Sequence, residues 1–247
     1  MYIKGTDSGD YMKQKGFALS AYAAAVSAIL FLLVTCIDIH CFNRSFYERE
    51  YASLKTAEDL NMSHRDLMKA TDALLDYLQG KQEHITAVIE VNGFEREAFN
   101  ERETQHMVDV LGLYRFALKL RLVSGIVLVA SIALLWWKKR SQLWEMLSVA
   151  YSQCALGFLL FVGFLAIWAT VDFTSLWESF HRLFFTNELW LLNPHTDLMI
   201  NMFPEVFFFH MVLRITISFV VCFGLLWAAA FCYGHRFALR QRLRRES

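Results

Sequence analysis

The sequence has little proline, few cysteines and no net charge. Only 2 of its 247 residues are proline and 5 are cysteine, and 24 basic residues balance 24 acidic ones. No CxxC pair is present and four of the cysteines lie inside apolar runs, which argues against a disulfide framework. We therefore expect all five to be packing residues. No basic patch with interleaved aromatic side chains occurs outside the ends of the apolar runs, so we expect no nucleic-acid partner.

The sequence is rich in long apolar runs. Of its residues, 56% are hydrophobic and 15% are aromatic. Four runs approach the roughly 20 residues that a spanning helix needs. We predict an all-α membrane protein, a single integral membrane domain over residues 1–247, with spans at 17–37, 117–137, 146–171 and 206–232. The first run ends in Ile37-Asp38-Ile39-His40, a poor cleavage site, so an uncleaved span is favoured over a signal peptide.

Three clusters of basic residues flank the spans, and with four spans all three clusters share one side of the membrane. They precede the first span, join the second to the third at Lys138-Lys139-Arg140, and follow the fourth as five arginines. The positive-inside rule then predicts cytoplasmic N- and C-termini, with residues 38–115 and 172–205 extracytoplasmic.

The first extracytoplasmic segment is a polar insertion that holds most of the acidic residues. Ser63 to Gln79 predicts an amphipathic helix, with Ser63 as its N-cap and Gly80 after its end. Ile85–Val91 and Phe94–Phe99 flank Asn92-Gly93, the dipeptide that a two-residue hairpin turn favours. We expect a helix and a possible short β-hairpin here.

The second extracytoplasmic segment, 172–205, is too polar to span a bilayer and too aromatic for an ordinary solvated loop. It carries His181 in an apolar run, then Trp190, and Pro204 before the fourth span. Aromatic rings suit the membrane interface because one edge can stay wet. We predict an interfacial segment after the third span.

Several ionisable residues are candidates for a site. Glu103, His106 and Asp109 share a helix face near the start of the second span, where a carboxylate could fix an imidazole tautomer. An exposed histidine with ion-pair neighbours is the plainer alternative, and Glu103-x-x-His106 is also half of a di-metal carboxylate site, which needs a second such motif on another helix. Arg214 lies at the outer boundary, either as a structural anchor or as a functional residue, with Asp172 as a possible partner.

No G-x-S-x-G, HExxH or Gly-rich phosphate-loop motif occurs. If the protein is an enzyme, histidine chemistry at the outer interface remains. A substrate at that depth arrives laterally from the bilayer, which points to a lipid or a lipid-anchored molecule.

Two histidine motifs and the residues around them resemble one known family. They are Arg102-Glu103, His106-Met107, Asp109-Val110, Asp172-Phe173, Phe180-His181, Phe184-Phe185, Trp190, Asn193-Pro194, Asp197 and Phe203-Pro204. They look like the bacterial integral-membrane family that contains the lipoprotein intramolecular transacylase, and the similarity covers essentially the whole chain.

The resemblance implies an acyltransferase of the bacterial cell membrane that moves the sn-2 acyl chain of a diacylglyceryl lipoprotein to the α-amine of its N-terminal cysteine. His106 and His181 would be catalytic, with Asp109, Glu103, Asp172 and Arg214 in supporting, oxyanion or lipid-contact roles. The lipoprotein and membrane lipids would be the partners, and neither a metal nor a cofactor is implied. A non-enzymatic lipid- or lipoprotein-binding protein and an interfacial hydrolase are the alternatives.

Overall fold

A computed structural model of the protein describes residues 8–246, and the side chains of residues 15–233. As predicted, the chain is mostly helical with one short β-hairpin. Its elements in chain order are α1 (Ser8–Cys41), α2 (Arg44–Leu54), α3 (Thr56–Asp59), α4 (His64–Leu78), β1 (Val88–Val91), β2 (Phe94–Glu97), α5 (Glu101–Lys139), α6 (Leu143–Val171), α7 (Phe173–Phe184), α8 (Leu198–Met202) and α9 (Glu205–Glu246).

Within residues 15–233, four helices are long and apolar enough to cross a membrane. They are Lys15–Cys41, Glu101–Lys139, Leu143–Val171 and Glu205–Tyr233. The prediction of four membrane-spanning helices is confirmed, although α5 begins well before its apolar run. Lys4, Lys13 and the arginines from 236 to 245, on which much of the topology prediction depends, lie outside the described side chains.

One compact unit contains the apolar parts of the long helices: residues up to 36, 119–164 and 217 onward. The Tyr151 hydroxyl of α6 donates to the Phe223 carbonyl of α9 at 3.2 Å, and the Ser148 hydroxyl donates to the Ala230 carbonyl at 2.6 Å. Apolar side chains cover much of the outer surface of these helices, as lipid contact requires. All five cysteines are free thiols.

The other compact unit contains residues 37–118 and 165–216. Its core includes an aromatic cluster in which Tyr51 stacks on Phe207 with ring centroids 5.8 Å apart and Phe46 meets the same ring edge-on at 5.3 Å. The buried Tyr51 hydroxyl is hydrogen-bonded to the Thr71 hydroxyl at 2.8 Å. This core joins the polar insertion to the first turns of α9.

Helix α4 forms where the sequence predicts it. The Ser63 hydroxyl accepts a hydrogen bond from the Asp66 N–H at 3.0 Å and caps the helix start. Leu67 and Leu74 are buried on the core face, and Gly80 takes a positive φ of 71° just after the helix.

The hairpin prediction is also confirmed. Strands β1 and β2 are antiparallel, with Val91 opposite Phe94 across the turn. Asn92 and Gly93 have φ values of 55° and 80°, the left-handed backbone that a tight two-residue turn needs.

Candidate active site

His106 and His181 lie side by side, although they are far apart in the sequence. Their ring centroids are 6.1 Å apart with the planes tilted by 35°, and each side chain is 7% exposed. The Phe185 ring contacts both imidazoles, with centroids 5.3 Å from His106 and 5.6 Å from His181. Both nitrogen heterocycles therefore share one buried aromatic pocket within the unit formed by residues 37–118 and 165–216.

Helix α7 positions His181. The Asp172 carboxylate caps the helix by accepting a hydrogen bond from the Ser175 N–H at 2.9 Å. Phe173, Trp177 and His181 recur every four residues, so they line one face. The Trp177 ring packs edge-on against His181 at 4.7 Å and stacks on Phe208 of α9 at 4.2 Å, which fixes the rotation of α7 against α9.

A backbone hydrogen bond fixes the tautomer of His181. Its Nδ1 lies 2.8 Å from the Trp177 carbonyl oxygen. Because a carbonyl can only accept, Nδ1 carries the proton and Nε2 of the neutral ring holds a free electron pair. Trp190 covers one face of this ring, with centroids 4.9 Å apart and the planes within 26°.

Burial sets the acid–base character of His181. It lowers the pKa of the imidazole below its ordinary value, and the hydrogen bond to the Trp177 carbonyl opposes only part of that effect. The ring is therefore neutral and able to accept a proton at neutral pH.

His106 lies in the second turn of α5. Its Nδ1 is buried and has no hydrogen-bond partner among the residues that the structure describes. The Asp109 carboxylate, one turn further along, interacts electrostatically with this imidazole. Asp109 also accepts a hydrogen bond from the Asn187 side chain at 2.8 Å, so it joins α5 to the loop between α7 and α8, residues 185–197.

Glu103 has a different role from the one its spacing suggests. The side chain is fully buried, with 0% exposed, and its Oε2 accepts from the Asn100 N–H at 2.8 Å while its Oε1 accepts from the Met199 N–H at 2.6 Å. Both carboxylate oxygens are thus bonded to backbone amides, and Glu103 stabilises the starts of α5 and α8 together.

Asn100 and Asp197 complete the hydrogen-bond network around Glu103. Neither residue was predicted from the sequence to have a role in the site. The Asn100 side chain accepts from the Glu103 N–H at 3.0 Å and donates to Asp197 at 2.8 Å. Burial raises the pKa of Asp197, but hydrogen bonds from Asn193, Thr196 and Asn100 outweigh it and the pKa is lowered overall. The spacing Asn100-x-x-Glu103 is that of a capping box, and it could have predicted the bonds between these two residues at the start of α5.

Asp172, the possible partner of Arg214, contacts other residues. Asp172 caps α7, whereas the guanidinium of Arg214 lies over the Phe46 ring, 5.3 Å from its centroid. The two residues form no ion pair with each other in the described part of the chain. The structure thus brings together His106, His181 and Asp109, places Glu103 just beside them as a helix cap, and puts Arg214 against α2.

Among the described residues, no group of three or more histidine, cysteine or acidic side chains is placed to hold a metal ion. Four helices of membrane-spanning length and a buried pair of imidazoles define the class of protein, an integral membrane protein with a two-histidine site.

Comparison with known proteins narrows this class. The family described as lipoprotein intramolecular transacylase Lit matches residues 22–208, a range that includes both histidines. The chain belongs to the Lit family, and it is an acyltransferase of that family. A comparison with curated proteins gives no significant match.

Solved structures share the fold. The membrane integral lipoprotein intramolecular transacylase Lit from Bacillus cereus aligns with a TM-score of 0.72 at 17% identity, over 93% of this chain and 99% of that one. Two variants of the Bacillus protein, with a histidine replaced by arginine or by alanine, both align at 17% identity with a TM-score of 0.70, over 96% of this chain and 98% and 100% of theirs.

Proposed function

We propose that this acyltransferase moves the sn-2 acyl chain of a diacylglyceryl lipoprotein to the free α-amine of its N-terminal cysteine, with His106 and His181 performing the proton transfers. The observation that carries the proposal is that the two buried imidazoles are neighbours, with their ring centroids 6.1 Å apart. Two proton-transfer groups at one place match a reaction in which the attacking nitrogen loses two protons.

The α-ammonium gives up two protons during the transfer. His181 Nε2 accepts one proton from the α-ammonium, and the resulting amine attacks the ester carbonyl carbon. His106 carries a second proton from the attacking nitrogen to the glyceryl oxygen as the carbon–oxygen bond breaks. An amide and a free hydroxyl form, and the proton held by His181 passes to solvent. His181 can accept the first proton because burial keeps its ring neutral at neutral pH.

The surrounding residues supply position and charge. Asp109 stabilises the imidazolium that forms transiently on His106, while Glu103 and Asp172 hold the helices that carry the two histidines. Because the amine and the ester belong to one molecule, holding a bent conformer with the reacting atoms in line accounts for much of the rate enhancement.

We also propose that the site faces the extracytoplasmic side of the bacterial cell membrane. The support is Lys138-Lys139-Arg140 between α5 and α6, at the end of α5 opposite to His106. Basic residues of short loops favour the cytoplasm. A cysteine placed at exposed Asn187 would then react with an impermeant maleimide in intact cells, whereas one placed at Gln142 would not.

The test of the reaction is a synthetic diacylglyceryl lipopeptide with a free N-terminal amine, incubated with the purified protein and examined by tandem mass spectrometry. Transfer leaves the total mass unchanged and moves one acyl group to the nitrogen. Loss of one fatty acid would instead show a hydrolase, and an unaltered substrate would show a binding protein; either result contradicts the proposal.

A further inference from the structure

Arg214 lies in a second polar cluster that the proposed reaction does not use. Its guanidinium covers the ring of Phe46 in α2 at 5.3 Å, and it is close enough to His40 at the end of α1 for an electrostatic interaction. Three helices, α1, α2 and α9, therefore meet around one cationic side chain.

The guanidinium is half-buried, and among the described residues it has no hydrogen-bond acceptor and no ion-pair partner. Glu50, one turn after Phe46 in α2, is instead bonded to Nδ1 of His210, one turn before Arg214 in α9, at 2.8 Å. The carboxylate side chain of Glu50 is only 17% exposed. Among the described residues, the N–H donors of the Arg214 guanidinium therefore have no oxygen acceptor.

Such an arrangement leaves the guanidinium able to receive an anion from outside the protein. A guanidinium binds a phosphate through two parallel hydrogen bonds, and Phe46 supplies a flat surface beneath it.

The depth of Arg214 identifies the kind of anion. The uncharged stretch from Ile215 to Tyr233 is about 28 Å long at roughly 1.5 Å per residue, which matches a hydrocarbon core of about 30 Å. Arg214 immediately precedes Ile215, at the outer end of this stretch. It therefore lies in the layer about 5–7 Å thick that holds the phosphates of membrane lipids.

We propose that Arg214, above Phe46 and beside His40, binds the phosphate of a membrane phospholipid. The diacylglyceryl group of the proposed substrate is joined to cysteine through a thioether and carries no phosphate. The occupant of this site is therefore a second lipid, and the proposal does not depend on the acyl transfer.

The experiment uses the full-length protein, stripped of lipid in detergent and examined by native mass spectrometry. Phosphatidylglycerol, phosphatidylethanolamine and diacylglycerol of identical acyl chains are added separately at equal concentration. We expect one phospholipid of either headgroup to be retained, and diacylglycerol to be retained at least tenfold less.

Variants locate the site. Arg214→Gln should lower phospholipid retention about tenfold, which corresponds to about 1.4 kcal/mol. Arg214→Lys should retain an intermediate amount, because an ammonium lacks the two-pronged geometry. The matched control is Arg49→Gln, which removes an exposed arginine from the neighbouring helix α2 and should leave retention unchanged. Thermal unfolding of each variant verifies that it is folded.

Four results would overturn the proposal, three of them in the retention measurements. They are equal retention by Arg214→Gln and the unaltered protein, equal retention of diacylglycerol and phospholipid, and no retained lipid at all. Full displacement of the phospholipid by millimolar inorganic phosphate would assign the site to free phosphate and would also overturn it.

Discussion

The buried carboxylate of Glu103 accepts a hydrogen bond from the backbone N–H of Met199 at 2.6 Å. This bond ties the first turn of α5 to the start of α8, and His106 lies one turn further along α5. Arg102 adds a hydrogen bond to the Glu188 carbonyl, so the loop 185–197 is held to α5 at several points. Trp190, in that loop, covers His181.

Glu103→Gln should lower both stability and activity. The glutamine side chain keeps one acceptor oxygen, but its NH2 group faces one of the two backbone N–H groups that Glu103 accepts from. That buried N–H loses its acceptor, which lowers the free energy of unfolding by ~1–3 kcal/mol. We expect a lower melting temperature and slower acyl transfer. The control is Glu101→Gln, at an exposed position of the same turn, and equal melting temperatures for the two variants would contradict this account of Glu103.

The rate of acyl transfer should depend on the protonation of His181. Burial lowers the pKa of this imidazole from its ordinary value, so the ring stays neutral to a lower pH than a free histidine. We expect the acid limb of the kcat/KM profile, which reports the free enzyme, to lie below about pH 6.5. The substrate amine titrates separately, near pH 7.7–8.0. A histidine limb above pH 6.5 would contradict the assignment of His181 as the base.

Trp190→Ala should move that acid limb upward. Removing the stacked indole lets water reach the imidazole, which weakens the desolvation that lowers the pKa, so His181 becomes protonated at higher pH. A shift of ~0.5 pH unit or more is expected. Trp190→Phe, which keeps an aromatic cover, should leave the limb nearly in place. An unchanged limb in Trp190→Ala would show that the indole does not shield the base.

Asp109→Asn should slow the reaction about tenfold, a loss of ~1.4 kcal/mol in transition-state stabilisation. The amide oxygen can still accept from Asn187, so this variant mainly removes the negative charge beside His106. Asn187→Ala does the opposite, since it removes the hydrogen bond and keeps the charge. We expect a small effect from Asn187→Ala, and rate losses of equal size would show that Asp109 acts only by holding the loop.

The helices and the hairpin could be predicted because their determinants are local. Apolar runs of spanning length, the Ser63 cap and the Asn92-Gly93 turn each act over a few residues. The meeting of His106 and His181 could be expected only through the resemblance to a family. No spacing rule connects two residues so far apart in the chain, and their contact depends on how α5 and α7 are placed in the folded chain.

The roles of Glu103 and Arg214 could not be derived from spacing alone. Glu103 shares a helix face with His106, yet its oxygens are bonded to the backbone of Asn100 and Met199. Arg214 and Asp172 were expected at one depth, but depth does not fix the direction of a side chain around its helix. Arg214 points to Phe46 of α2, a helix that the sequence did not reveal.

The most direct test of the account is the initial rate of acyl shift in the lipopeptide for His106→Ala, His181→Ala and the control His64→Ala. His64 is an exposed histidine at the start of α4. We expect each of the first two variants to lose at least about a hundredfold in rate, the lower range for proton-transfer groups, while His64→Ala keeps the full rate. A rate within a few-fold of the unaltered protein in either His106→Ala or His181→Ala would contradict the two-histidine mechanism.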